Sequence, residues 1–196
     1  MKKKSLALVL ALVLALVLLV GGLVGGTLAW LTATTDEVVN TFTTSDIDIT
    51  LKESTGDNYK MVPGYTINKD PKVTVQAGSE KCYLFVKLNK SDNFDDFLTY
   101  EMAEGWTQLT GTSDEVVAGV FYRVVETTDM GQELSVLKND QVTVKDTVTK
   151  DDMDNLNEET YPTLTVTAYA SQYNKSADAT FTAIEAWNNI SSASNN

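Results

Sequence analysis

Alternation of apolar and polar residues is the feature that most limits how this chain can fold. Residues 46–52 read DIDITLK, which puts Ile47, Ile49 and Leu51 on one side of an extended backbone and charged or hydroxyl side chains on the other. Successive side chains of a strand point to opposite faces, so the segment predicts a half-buried strand. Similar alternation or β-rich composition predicts strands at residues 72–76, 82–89, 116–126, 141–148 and 164–170. Weaker strand candidates lie at residues 38–42, 99–102, 106–109 and 134–137.

Turn-forming residues separate these strands, at residues 54–58, 63–64, 77–79, 110–114 and 138–140. Short helices are predicted only at residues 92–98, 150–156 and 177–188, the last with Phe181, Ile184 and Trp187 at helical spacing. Strands that do not alternate with helices favour antiparallel pairing. The sequence therefore predicts an all-β fold, an antiparallel jelly-roll-type β-sandwich with a few short helices, preceded by a signal peptide.

The N-terminus has the composition of an export signal. Lys2, Lys3 and Lys4 precede an apolar run of 15 residues, from position 6 to position 20. Glycines at 21, 22, 25 and 26 interrupt the run before it reaches the roughly 20 residues that a membrane-spanning helix needs. Small residues at the two positions that a signal peptidase reads, Thr27 and Ala29, predict cleavage between Ala29 and Trp30. The alternative is an uncleaved signal anchor, and in both cases the body of the chain is expected outside the cell.

These features divide the chain into a signal peptide (1–29), an N-terminal arm (30–44), a β-sandwich domain (45–190) and a disordered tail (191–196).

Cleavage removes three of the 15 basic residues and none of the 27 acidic ones, so the formal charge falls to about −15. Such an acidic chain lacks the basic surface that a phosphate backbone requires, and nucleic acid is therefore not an expected partner.

Few residues are available for catalysis. The chain contains no histidine, which excludes the Ser-His-Asp and Cys-His arrangements and the HExxH zinc site. The single cysteine, Cys82, cannot form an internal disulfide, and it alternates in phase with Leu84, Val86 and Leu88. We expect a buried core thiol there, with a nucleophile as the alternative.

Carboxylate pairs are the remaining acid or base groups, and they are too numerous to single out one site; they lie at 95–96, 114–115, 151–152 with Asp154, and 158–159. The acidic run at 151–159 lacks the mid-loop glycine and the spacing of an EF-hand, so a solvated surface is expected in preference to a Ca²⁺ site. We predict no enzymatic activity, no catalytic or metal-binding residues and no cofactor.

Several segments, taken in order, resemble the TasA/camelysin family of exported Gram-positive proteins. They are GGTLAWLT (25–32), TDEVVNTF (35–42), DIDITLKE (46–53), MVPGY (61–65), KDPKVTV (69–75), LTVTAYASQ (164–172) and AW (186–187). Residues 89–161 contribute hardly anything to the resemblance. The resemblance implies a jelly-roll subunit, released by a signal peptidase of the SipW type, that forms extracellular fibres of the biofilm matrix. An accessory matrix or anchoring protein is a further partner of this kind of assembly. The family also includes a described surface metalloprotease, but a chain without histidine lacks the usual zinc ligand.

The arm at 30–44 has β-forming residues but no hairpin turn that would return it to a neighbouring strand. We expect it to add as a strand to an open edge of the next subunit, so that the protein polymerises with itself. Val38, Asn40 and Phe42 would share the face that meets the acceptor. The alternative is that residues 38–42 form the first strand of their own monomer.

A carbohydrate-binding or cell-surface jelly-roll module is the second class of function. It would need exposed aromatic side chains for sugar stacking, and the candidates are Tyr100, Trp106 and Tyr122. Aromatic residues of a β-sandwich more often belong to its core.

Overall fold

The computed structural model describes residues 46–56 and 59–193, with the side chains of 191–193 excepted. This part of the chain is mostly β, and every strand pairing in it is antiparallel. The strands are β1 (Ile49–Lys52), β2 (Thr66–Asn68), β3 (Lys72–Val75), β4 (Cys82–Lys90), β5 (Leu98–Thr99), β6 (Thr107–Thr110), β7 (Val116–Val125), β8 (Glu133–Ser135), β9 (Gln141–Val144), β10 (Leu164–Gln172), β11 (Asn174–Ser176) and β12 (Ala179–Thr180). The helices are α1 (Phe94–Phe97), α2 (Lys150–Asp154) and α3 (Ala183–Ala193). The predicted all-β class is confirmed.

The central layer is a four-stranded sheet in the order β10-β4-β7-β6. Its longest ladder joins β10 to β4 over nine residue pairs, with Ala168 opposite Val86 and Ala170 opposite Leu84. Two three-stranded sheets, ordered β1-β3-β8 and β2-β9-β5, contribute to the same core, and β11 pairs with β12 in a separate hairpin.

The two faces of β4 belong to two core clusters because its side chains alternate. Cys82, Leu84, Val86 and Leu88 enter the first core cluster, which they share with buried valines of β3 and β9. On the opposite face, buried Tyr83 and Phe85 enter the second core cluster, which includes Ala186 of α3. Ile184 and Trp187 pack against that cluster, as their helical spacing predicted. The predicted core position of Cys82 is therefore confirmed.

The structure differs from the predictions most clearly near the C-terminus. The helix predicted at 177–188 begins only at Ala183, and the residues before it form the β11–β12 hairpin. Thr182 and Glu185 explain the later start, since Glu185 accepts hydrogen bonds from the Thr182 N–H (2.9 Å) and hydroxyl (3.0 Å) and donates its own N–H to that hydroxyl (3.4 Å). The helix continues through residues 191–193, which were predicted to belong to the disordered tail.

Leu51 also departs from its predicted position in the core. It lies opposite fully buried Val73, which places both on one face, but 37% of its surface is exposed. Leu51 lies near the end of β1, which is an edge strand of its sheet. Within the residues described, no helix has both the length and the apolar character needed to cross a bilayer.

Candidate functional site

The residues predicted to act at the signal junction and in fibre assembly lie outside the described part of the chain. They are Ala29 and Trp30 at the cleavage site, and Val38, Asn40 and Phe42 in the arm. The predicted strand addition also requires an acceptor surface, which would belong to the β domain. A candidate acceptor needs an unpaired strand edge and an apolar surface beside it.

Every strand at the end of a sheet order meets the first requirement, and β10 and β2 are two of these strands. Among the described residues, β10 pairs only with β4, and β2 pairs only with β9. β10 is nine residues long and reads LTVTAYASQ, with neither a charge nor a proline in it. Natural edge strands are usually shortened, bulged or charged because a long free edge invites another strand. β10 therefore lacks the features that usually protect an edge strand.

An open groove of about 830 Å³ meets the second requirement. It is lined by Ile67 of β2, Val142 of β9, Leu98 of β5 and Leu164, the first residue of β10. The groove thus opens where the β2-β9-β5 sheet meets the start of the β10 edge. Its remaining lining residues come from the segment before β2, from the end of that strand, from α1 and from residues 153–163; they are Tyr59, Lys60, Met61, Lys69, Phe94, Met153, Leu156, Glu158, Tyr161, Pro162 and Thr163.

The floor of the groove is apolar, and its rim is polar. Phe94, Leu98 and Val142 are buried members of the first core cluster, so the groove gives direct access to the core. At the rim Tyr161 is 52% exposed, although an aromatic ring of this size is normally packed against something. This combination suits an apolar side chain that arrives on an extended backbone.

Hydrogen bonds hold one wall of the groove in place. The Tyr59 hydroxyl donates to the Glu53 carboxylate (2.7 Å), and the Lys69 ammonium donates to the same carboxylate at 2.8 and 3.0 Å. Partial burial of the side chain is the main reason that the pKa of Tyr59 is raised above its ordinary value. The wall that carries Tyr59 is thereby joined to Lys69, immediately after β2.

Asp70 holds the preceding turn. Its carboxylate accepts hydrogen bonds from the Ser54 hydroxyl (2.5 Å), the Ser54 N–H (2.8 Å) and the Thr55 N–H (3.0 Å). These bonds lower the pKa of Asp70, and the bond from the Ser54 hydroxyl has the largest effect. The turn is therefore held most firmly when Asp70 is ionised, which is its state at neutral pH.

Cys82 does not line this groove. Its thiol is fully buried, and burial raises its pKa to about 11. Because the thiolate is the reactive form, we expect iodoacetamide at mildly alkaline pH to leave Cys82 unmodified in the folded chain and to modify it fully in denaturant. Mass spectrometry measures the difference, and equal modification rates in the two states would show that the thiol is accessible.

The three aromatic residues named for sugar stacking do not form one platform. Tyr100 and Trp106 pack against the first core cluster, whereas Tyr122 packs against the second, on the other face of the sheet. The indole N–H of Trp106 donates to the Ser135 carbonyl (2.9 Å), and the guanidinium of Arg123 lies 5.6 Å from the centre of its ring. One face of Trp106 is thus already covered by a cation.

The acidic run at 151–159 has a structural role at its start. Thr149 and Asp152 form a capping box at the N-terminus of α2, in which the Asp152 carboxylate accepts from the Thr149 hydroxyl (2.6 Å) and N–H (2.8 Å). These bonds lower the pKa of Asp152, with the hydroxyl contributing most. In the part of the chain that the structure describes, three or more Cys, Asp or Glu side chains are nowhere grouped for a metal ion.

The groove was not predicted from the sequence, because its lining comes from segments far apart in the chain. The only local signals were the PG turn at 63–64 and the aromatic and methionine residues around it. Comparison with protein-family models, with curated proteins and with solved structures found no match to this chain.

Proposed function

We propose that this protein is an exported structural subunit of extracellular matrix fibres, and that it polymerises by strand addition between subunits. Residues 30–44 of one subunit act as the donor strand, and the next subunit supplies the acceptor. The observation that carries the proposal is the apolar groove that opens beside two strand edges, β2 and β10. Main-chain hydrogen bonds along an edge would supply affinity, and alternate side chains in the groove would set the register.

The side chains along β10 support an acceptor role. Val166, Ala168 and Ala170 point toward the first core cluster and are only partly buried. Two alanines in succession on this face leave room beside the strand for larger side chains. Val38 and Phe42, with Asn40 between them, lie at alternate positions of the donor and would project to the same side.

The proposed contact joins two different surfaces, an arm and a groove. Such a heterologous contact produces an open filament when successive rotations do not close a ring. The formal charge of the whole chain is −12, and it becomes more negative when the signal is removed, so the free subunits would repel one another until specific strand pairing overcomes this repulsion. Fibre formation would therefore be promoted by salt, which screens the repulsion.

The proposal also includes a jelly-roll-type fold and export through a cleaved signal peptide. The antiparallel sheets and the long β10–β4 ladder are compatible with a jelly-roll-type sandwich. Cleavage after Ala29 by a SipW-type signal peptidase would free the arm, and an anchoring protein would attach the fibre to the cell. The resemblance of the N-terminal segments to the TasA/camelysin family supports this part.

Electron microscopy of the purified chain that begins at Trp30 tests the proposal. We expect unbranched fibres that form without any added protein, more readily at moderate salt than at low salt. The matched control is a chain that begins at Ser45 and lacks the arm, which should stay monomeric with an unchanged circular dichroism spectrum. Fibres from the armless chain, or none from the chain with its arm, would contradict strand donation.

A further inference from the structure

Two methionines line the groove. Met61 precedes β2 and Met153 lies in α2, and both are only partly buried. Met102 and Met130 are also partly buried and, like the first pair, pack against the first core cluster. They do not line the groove, which distinguishes the two pairs. Met61 and Met153 therefore contribute to the lining of an open groove whose other lining residues are largely apolar.

A thioether that solvent can reach is open to two-electron oxidation. Its sulfur lone pair attacks one oxygen of hydrogen peroxide, an S–O bond forms and the O–O bond breaks. The sulfur is oxidised to the sulfoxide, and the departing hydroxide takes up the remaining proton to give water. The product is a polar, chiral side chain in place of a flexible apolar one.

We propose that Met61 and Met153 are oxidative modification sites, and that their conversion to sulfoxides by peroxide closes the groove to an incoming strand. The inference rests on the proposed function, since it is the entry of the donor strand that the modification blocks. The groove is lined by apolar side chains such as Phe94 and Leu156, which cannot donate a hydrogen bond to a sulfoxide oxygen. Of the donors that also line it, Tyr59 and Lys69 already donate to the Glu53 carboxylate.

In the free subunit water solvates the sulfoxide oxygen, so the modification costs the open groove little. An arriving apolar strand would remove that water and place the oxygen against apolar side chains, which is unfavourable. Oxidation would therefore act on assembly in preference to folding. Methionine sulfoxide is restored to methionine by sulfoxide reductases, so the block would be reversible.

The first test is independent of fibre formation. The folded chain is treated with a limiting amount of hydrogen peroxide, and peptide mapping by mass spectrometry follows the oxidation of each methionine. We expect Met61 and Met153 to be oxidised before Met102 and Met130. Equal rates at the four positions, or slower oxidation of the groove pair, would overturn the inference.

The second test compares two double variants, Met61→Leu with Met153→Leu, and Met102→Leu with Met130→Leu. Leucine is close to methionine in volume, so both variants should fold. After peroxide treatment we expect the critical concentration for fibre formation to rise about tenfold or more in the wild type, as burial of an unpaired polar group implies. The same rise is expected in the Met102/Met130 variant, and no rise in the Met61/Met153 variant.

The outcomes separate this inference from the function on which it rests. Two outcomes would overturn the inference while the proposed function stands. One is that peroxide treatment reduces assembly of the Met61/Met153 variant as much as that of the wild type. The other is that the oxidised wild type assembles as well as the untreated wild type. Absence of fibres from every untreated sample would contradict the proposed function, and with it the role of the methionines in assembly.

Discussion

Replacing Phe42 by alanine is expected to abolish fibre formation while the β domain stays folded. If the arm enters the groove of the next subunit, Phe42 is buried at every junction of the filament. Truncating a buried phenylalanine costs about 3–5 kcal/mol. Since 1.4 kcal/mol corresponds to about a tenfold change in an equilibrium constant, each junction would weaken at least a hundredfold. Val38→Asp should have a similar effect, because it would place a charge on the same buried face.

Val39→Asp is the matched control for this prediction. Val39 lies between the two buried positions and would point away from the groove, so a charge there should leave assembly nearly unchanged. Sedimentation measures assembly, and circular dichroism reports whether the subunit remains folded. Soluble, folded subunits for the first two variants and fibres for the third are the expected result. Unfolding of the Phe42→Ala subunit would instead indicate that the arm belongs to its own core.

Replacing Gly119 by alanine is expected to destabilise the domain strongly. Gly119 lies in β7 with φ of +69°, and a Cβ atom added there would lie 2.4 Å from the Leu88 carbonyl oxygen of the neighbouring strand. A left-handed backbone costs a non-glycine residue about 1–2 kcal/mol. The overlap with a main-chain oxygen adds about 1–3 kcal/mol, because a strand inside a sheet cannot move freely. We therefore expect a loss of about 2–5 kcal/mol in the free energy of unfolding, measured by urea denaturation.

Gly78→Ala provides the control for the backbone contribution. Gly78 also has a positive φ, of +94°, but an added Cβ would meet nothing within 4 Å. Its replacement should cost only the backbone part. A loss for Gly119→Ala no larger than that for Gly78→Ala would show that the contact with Leu88 is relieved by a shift of the strands.

Gly119 also illustrates how much a local pattern misses. The alternation at 116–126 predicted β7, but not the irregular pairing of β6 with β7, in which Gln108 pairs with Phe121 and Thr110 with Val116. The Gln108 side-chain amide donates to the carbonyls of Val117 (3.0 Å) and Val120 (2.8 Å) within this irregular stretch. The bonding partners come from different strands, so their arrangement follows from the sheet and not from either segment alone.

The period of two along residues 82–89 determined β4 and the assignment of its side chains to two faces. This held because side-chain direction in a strand depends only on position along the backbone. In the same way, the spacing of Ile184 and Trp187 determined which face of α3 packs on the second core cluster. The predicted start of that helix at residue 177 was too early because it overlooked the T-x-x-E sequence at 182–185, whose capping hydrogen bonds place the start at Ala183.

Tertiary structure alone decided where the edges and the groove lie. β2 is only three residues long, too short to show a period, and it is a strand because β9 pairs with it. The groove is lined by residues from 59 to 164, and no local pattern links them. Their apolar character follows from the sequence. Which of them stay partly uncovered depends on the layers above them, and the order of strands in the sheets sets those layers.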